Sequence, residues 1–207
     1  WYWGKSMIDL CVVNYNTRKL LQRFLDALHS DVYSPNGALV KNWNLYIMDN
    51  DSTDDFVPWL RENEERYLID RTFLRKNIGY SSAINYMASK SNSEIVGVLN
   101  GDVWMTSEDC LSIEKAFANN PNMHILGPKQ RDEYGYITHA GIIGTNTEPK
   151  HRGWREHDPQ DLLYKDQIDC VTVSGSAYFV RRDVWDDMTN NKQYRELYPD
   201  AIGAFLP

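Results

Sequence analysis

Two apolar runs in this chain stop at the same kind of polar turn, and that repetition constrains the fold more than any other feature. Glu94-Ile95-Val96-Gly97-Val98-Leu99 breaks off at Asn100-Gly101-Asp102-Val103, and Leu45-Tyr46-Ile47-Met48 breaks off at Asp49-Asn50-Asp51-Ser52-Thr53-Asp54. Apolar runs of this length read as buried strands, and Asn-Gly is a strong turn signal. Open α/β sheets bind ligands beyond the carboxyl ends of their strands. Two strands delivering carboxylates to one edge therefore predict a site for a divalent metal and a phosphorylated ligand.

The surrounding pattern agrees. Ile8 to Val13 is a further β-rich run, closed by Asn14-Tyr15-Asn16-Thr17. Leu20, Leu21, Phe24, Leu25 and Leu28 follow at helical spacing, with Asn16 or Thr17 as the expected N-cap. Asn36-Gly37 marks a loop before a strand over Trp43 to Met48, and Asp54 or Asp55 is expected to cap a short helix ending near Glu65. A third strand is expected over Tyr67 to Leu74, a helix over Ser81 to Lys90, the fourth strand over Ile95 to Leu99, and a helix from Thr106 or Ser107 to Ala118. Strand and helix alternating in this way predict a mainly parallel sheet flanked by helices.

After Pro121 the pattern changes. His124 to Gly127 and Tyr136 to Ile143 read as short strands, and Asp169 to Val180 as a bent strand or strand pair broken at Ser174-Gly175-Ser176. Between them, residues 144–166 are polar and rich in His, Arg, Trp and Pro, as expected of a functional loop. Asp183 is expected to cap a short helix over Val184 to Met188. The fold class is thus α/β, with a small antiparallel extension in the second half. The 207 residues suffice for one domain with a proper core.

Charge narrows the partners. A net charge of −7 and a pI near 5.2 argue against a broad nucleic-acid footprint, which needs clustered Lys and Arg. Cys11, Cys110 and Cys170 are odd in number and far apart, without metal-ligand spacing, so reduced thiols in a cytoplasmic protein are expected. No apolar stretch approaches the roughly 18 to 20 residues of a membrane span, and no signal peptide is evident. A start at Trp1 and a stop at Leu206-Pro207 are expected of a piece of a longer protein.

Each polar turn has both a functional and a purely structural reading. Tyr15 and Asn16 can hold a base or ribose, and equally form a plain strand-to-helix turn. Asp49 and Asp51 can accept from an imide N–H or a ribose hydroxyl, since carboxylates are acceptors only; Asp54 reads mainly as a helix cap. Asn77-Ile78-Gly79-Tyr80, with Asn85 following, lets a ligand approach the backbone at Gly79. Asp102 is the sharpest candidate for a metal carboxylate, because Mg²⁺ and Mn²⁺ share one or two carboxylates with substrate phosphates. His139 and His151 are further candidate metal ligands; a histidine on a strand, such as His139, can also donate to a diphosphate, and a lone one reads first as a satisfied core histidine. His151, Arg152 and Arg155 form a local cationic patch.

In order and spacing these segments resemble the family-2 glycosyltransferases of the GT-A fold, a group that includes bacterial rhamnosyltransferases. The resemblance runs from Ile8 to about Met188. It rests on Val12-Val13-Asn14-Tyr15-Asn16, Ile47 to Asp54, Asn77 to Tyr80 with Asn85, Leu99 to Val103, Ile137-Thr138-His139-Ala140-Gly141, and Val173 to Arg182. It implies a sugar-nucleotide donor (UDP-, dTDP- or GDP-linked) and an acceptor hydroxyl. The base would lie near Tyr15, Asn16, Asp49 and Asp51, and the ribose or diphosphate near Asn77, Gly79 and Tyr80. Asn100, Gly101 and Asp102 would meet the diphosphate, with Mn²⁺ or Mg²⁺ on Asp102. Ser174, Gly175 and Ser176 would border the sugar and acceptor. The resemblance also implies a nucleotide-binding half over residues 1–120 and a sugar and acceptor half over 121–207.

The resemblance implies inversion, which calls for a carboxylate base on the acceptor side. Asp186-Asp187 comes too early for it and falls in the expected helix, and Glu196 and Asp200 lack the matching context. The base is therefore expected beyond Pro207. Two competitors stand beside this reading. A nucleotidyltransferase should carry a Gly-rich, basic loop after the first strand, which Asn14-Tyr15-Asn16-Thr17 is not. A non-catalytic sugar-nucleotide or glycan-binding module would need no base at all.

Overall fold

The computed structural model describes residues 7–33, 37, 41–145 and 147–190. The first half runs β1 (Ile8–Asn14), α1 (Arg18–His29), β2 (Trp43–Asn50), α2 (Phe56–Asn63), β3 (Arg71–Arg75), α3 (Tyr80–Ala88), β4 (Ile95–Asn100) and α4 (Ser107–Asn119). The second half holds β5 (Ile125–Leu126), β6 (Gln130–Arg131), β7 (Ile137–His139), β8 (Ile142–Gly144), β9 (Pro149–His151), β10 (Ala177–Arg181) and α5 (Arg182–Asn190).

Six strands form the main sheet in the order β3-β2-β1-β4-β10-β5. The first four are parallel, and β10 lies antiparallel beside β4. Every residue of β1 is buried, the reason it reads as an unbroken apolar run: a central parallel strand is covered on both faces. Leu21, Phe24, Leu25 and Leu28 of α1 pack on one face with Phe56 of α2 and Phe117 of α4. Ala83, Ile84 and Met87 of α3 pack on the other with Trp185 of α5. The result is three layers, helix-sheet-helix.

Register sets the working edge. Asn14 lies opposite Asp49, Asn50 opposite Arg75, and Val13 opposite Asn100. Since β10 runs the other way, its start meets the same edge, Ala177 lying opposite Leu99. The far end of the sheet is tied by a buried charge: Asp9 accepts from Ser93 and from Arg182 at 3.1 Å, which satisfies a carboxylate that is fully out of water.

Several expected boundaries move. β2 continues through Asp49 and Asn50, whose buried side chains find partners in Asn14 and the Ile78 amide and so can stay in the sheet. β3 begins at Arg71 rather than Tyr67, because Leu68 turns the chain at positive φ and the Tyr67 amide is still bonded to Asn63 of α2. The strand expected over Tyr136 to Ile143 is split at Gly141, which turns the chain at a φ of +99° that residues with a side chain rarely adopt. Residues 144–166 are not structureless: β9 folds back on β8 as a hairpin. The expected 169–180 strand is regular only from Ala177, as β10 (Ala177–Arg181), and α5 extends the expected helix at both ends. Asn36, Glu196 and Asp200 lie outside the described residues.

Cys11, Cys110 and Cys170 are free thiols, and burial pushes the first two well up. No helix among the described residues is long and apolar enough to cross a membrane.

Candidate functional site

The strand order reverses direction at β1, with β2 on one side and β4 on the other. Diverging crossovers at such a point leave a crevice beyond the carboxyl ends of the strands. The polar turns after β1, β2, β3 and β4, together with the segment leading into β10, all meet at this edge.

The β1 and β2 turns are fastened to each other. Asn14 Nδ2 donates to Asp49 Oδ1 at 2.8 Å and to Ser52 Oγ at 3.0 Å. The Ser52 amide donates to Asp49 Oδ2, and the Asn16 amide to Ser52 Oγ. Asn16 Oδ1 in turn accepts from the Thr53 and Asp54 amides. Thr17 occupies the cap position of α1 without capping it; Asp54 Oδ2 accepts from the Arg18 amide instead, while Asp54 Oδ1 accepts from the Phe56 amide of α2. One carboxylate therefore serves two helix N-termini. Asp49 is buried within this lattice, whereas Tyr15 and Asp51 stand exposed, Tyr15 to 52%.

The β3 turn is held by Asn50. Its Oδ1 accepts from the Ile78 amide at 2.9 Å, and its Nδ2 donates to Asn77 Oδ1, which also accepts from the Gly79 amide. Gly79 takes φ +82°, and a Cβ there would meet nothing within 4 Å, so open space lies over the start of α3. Tyr80 follows with its hydroxyl buried and without a partner among the described residues, as is Asn85 Oδ1. Burial, then the neighbouring Cys11 and Asp102, pushes the Tyr80 phenol up, so it is a neutral O–H donor.

After β4, Asn100 is half-buried, Gly101 buried and Asp102 exposed. Asp102 makes no hydrogen bond or ion pair to another described residue. The Asn100 amide donates to Ser176 O at 2.9 Å, which brings Ser174-Gly175-Ser176 beside the Asn100-Gly101-Asp102 turn. Ser174 and Ser176 share a hydroxyl contact at 2.7 Å, and Ser176 Oγ donates to Gln130 Oε1. His139 adjoins this segment: its Nε2 accepts from the Ser174 amide at 3.3 Å, and its ring is 1% exposed. Burial, with His151 adding to it, holds the His139 pKa below the usual histidine value. His151 lies on exposed β9, its ring centroid 6.5 Å from that of His139.

The edge thus gathers Tyr15, Asn16, Asp49, Asp51, Asn77, Gly79, Tyr80, Asn100, Gly101, Asp102 and Ser174–Ser176. His139 joins through Ser174 and His151 through His139. No group of three His, Cys, Asp or Glu side chains suited to a metal occurs among the described residues. A lone free carboxylate such as Asp102 still fits an Mg²⁺ or Mn²⁺ ion that takes its other oxygens from a diphosphate. The Asp186-Asp187 pair sits on α5, after β10 has run to the opposite end of the sheet, where Arg181 lies opposite Ile95. Sequence reasoning left Asn14, Asn50 and Gln130 out of the site. Asn14 and Asn50 end buried strands with a polar residue, a usable signal; Gln130 carries none, since it arrives through a hairpin.

The family model described as "Glycosyl transferase family 2" matches residues 9–189. No curated protein matches the chain by sequence. Among solved structures, S. aureus TarS 1-349 in complex with UDP-GlcNAc superposes with a TM-score of 0.58 at 15% identity, covering 89% of this chain and 47% of that one. S. aureus TarS 1-349 in complex with UDP gives 0.57 at 14% identity, covering 89% and 48%. At such identities the likeness is one of fold, and this chain spans about half the length of those relatives. A mannosyltransferase from Pyrobaculum calidifontis in complex with GDP-Man and Mn²⁺ matches at 19% identity over 62% of this chain and 37% of that one, with a TM-score of 0.48, a likeness too partial to bear on the site.

Proposed function

The chain belongs to glycosyl transferase family 2, and from that premise we propose that it moves a sugar from a nucleotide-diphosphate donor to an acceptor hydroxyl at the strand-end crevice. The observation that carries this reading is the free, exposed Asp102 carboxylate at the end of β4, flanked by the locked β1–β2 turns on one side and Ser174–Ser176 on the other.

On this reading the base of a UDP-, dTDP- or GDP-linked donor rests against Tyr15 and Asn16, with Asp51 reaching its polar edge. Asp49 acts mainly from below, holding the turns that the base touches. The open backbone at Gly79 and the unpartnered Tyr80 hydroxyl receive the ribose and a diphosphate oxygen. Asp102 would hold Mn²⁺ or Mg²⁺, which when bound supplies charge neutralisation to the departing diphosphate. Ser174–Ser176 orients the sugar. The acceptor hydroxyl attacks the anomeric carbon as the diphosphate leaves, through an oxocarbenium-like transition state, with inversion. The carboxylate that takes the acceptor's proton is neither Asp186 nor Asp187, which follow β10 at the opposite end of the sheet. Residues 1–120 serve the nucleotide and 121–207 the sugar and acceptor, in a cytoplasmic protein.

The test is a thermal-shift panel of UDP-, dTDP- and GDP-sugars with and without Mn²⁺, since a ligand that binds only the folded state raises the melting temperature. One nucleotide class should raise it, more so with metal, and that donor should release nucleoside diphosphate when incubated with the full-length chain. Binding without release in the full-length chain would favour a binding module instead. No shift with any donor would contradict the proposal.

A further inference from the structure

We propose that Gln130 and His139 form a two-pronged clamp that positions Ser174-Gly175-Ser176 against the Asn100-Gly101-Asp102 turn, a positioning role that rests on the sugar-transfer reading above. Gln130 and His139 are direct cross-strand partners in the β6–β7 hairpin, so their side chains share one face. Each prong takes one end of the same segment. Gln130 Oε1 accepts from Ser176 Oγ at 2.7 Å, and His139 Nε2 accepts from the Ser174 amide at 3.3 Å. The opposite side of the segment is held by the Asn100 amide on Ser176 O at 2.9 Å. Ser174–Ser176 is therefore gripped between the hairpin and the turn that carries Asp102.

Three features argue that the grip is more than packing. His139 is buried to 1% exposure, and accepting at Nε2 leaves its proton on Nδ1, which has no partner among the described residues. Gln130 Nε2 is likewise buried and unpartnered. Apolar side chains of similar shape would fill this space without stranding two donors, so the two acceptor atoms justify the residues. The hairpin also shifts register between Gln130 and Arg131, the kind of bulge that re-aims a side chain. Finally, Gly127 lets the backbone pass close by: a Cβ there would lie 2.6 Å from Val173 and 3.3 Å from His139 Nε2.

The clamp assigns His139 to the geometry of the sugar-facing segment rather than to a metal. His139→Phe removes one acceptor and Gln130→Leu the other, while His139→Gln restores an acceptor to the Ser174 amide. Amide hydrogen exchange over residues 172–177, read without any ligand, should quicken at least tenfold in His139→Phe and in Gln130→Leu, and stay within about twofold of wild type in His139→Gln. In turnover with the donor, kcat should fall at least tenfold in the first two variants with KM changed less than threefold, and His139→Gln should recover most of it. Mn²⁺ affinity should be unchanged in all three. Unchanged exchange in both His139→Phe and Gln130→Leu overturns the clamp, as does a loss of Mn²⁺ affinity in His139→Gln. Failure of His139→Phe to fold leaves Gln130→Leu and His139→Gln to decide. The exchange readout needs no substrate, so absence of transfer would count against the sugar-transfer reading and not against the clamp.

Discussion

Asn14 donates its side-chain amide to Asp49 at 2.8 Å, and this bond between two buried residues fastens the end of β1 to the end of β2. The pairing turns two strand-end loops into one rigid floor, because Ser52 and Asn16 extend the same network. Asp49→Ala leaves Asn14 Nδ2 with Ser52 Oγ as its one remaining acceptor and takes the acceptor from the Ser52 backbone amide. Urea unfolding should show a loss of about 1–3 kcal/mol, and nucleoside diphosphate affinity should drop at least tenfold. A stability change under about 0.5 kcal/mol, the range of neutral surface substitutions, would mean the network is incidental.

Asp54 bonds the first turns of both α1 and α2, so Asp54→Ala uncaps two helices at once. Each cap is worth about 1 kcal/mol, giving a combined loss of about 2 kcal/mol. Asp55→Ala removes only an exposed partner of Arg18 and should stay within about 1 kcal/mol of wild type. Equal effects from the two substitutions in chemical denaturation would refute the shared cap.

Gly97 sits mid-strand in β4, where an added Cβ would come within 2.7 Å of the Phe179 ring on neighbouring β10. Gly97→Ala overpacks this contact and should cost about 1–3 kcal/mol. Combined with Phe179→Leu the losses should be less than additive, because the second change removes the ring atoms that clash. Strict additivity in a double-mutant cycle would show that the clash is not the cause.

Burial lowers the pKa of His29 and of His139. Their folded values lie below 6.5, so just beneath pH 6.5 the unfolded chain binds more protons than the folded one. Their stabilising contribution is complete above pH 6.5 and is lost as pH falls through that value toward the folded pKa. Stability should therefore decline below pH 6.5, before ordinary carboxylates titrate, and His29→Gln should shallow that slope. A flat profile from pH 7.5 to 5 would contradict the assignment.

Much of this was legible in the residues. The buried runs Ile8–Val13 and Ile95–Leu99 announced central parallel strands, and Asn100-Gly101-Asp102 marked the carboxyl-end edge of the sheet. What stayed hidden depends on contacts distant in the chain. Asp54 caps α1 from 36 residues away, which no local capping pattern reveals. Asp49 and Asn50 look like loop residues, yet remain in β2 because Asn14 and Ile78 satisfy them. Gln130 reaches Ser176 only because a hairpin folds across the end of β10, and His139 reads as a lone histidine until the Ser174 amide is set against it. Side chains whose partners are near in sequence were readable; those that join separate turns were not.

The most direct test of the account is calorimetric titration of UDP, dTDP and GDP into wild type and Asp102→Asn, each with and without Mn²⁺. Wild type should bind one nucleoside diphosphate at least tenfold more tightly when Mn²⁺ is present, and Asp102→Asn should lose that increment while keeping the metal-free affinity. An undiminished Mn²⁺ increment in Asp102→Asn would contradict the claim that Asp102 anchors the diphosphate at the end of β4.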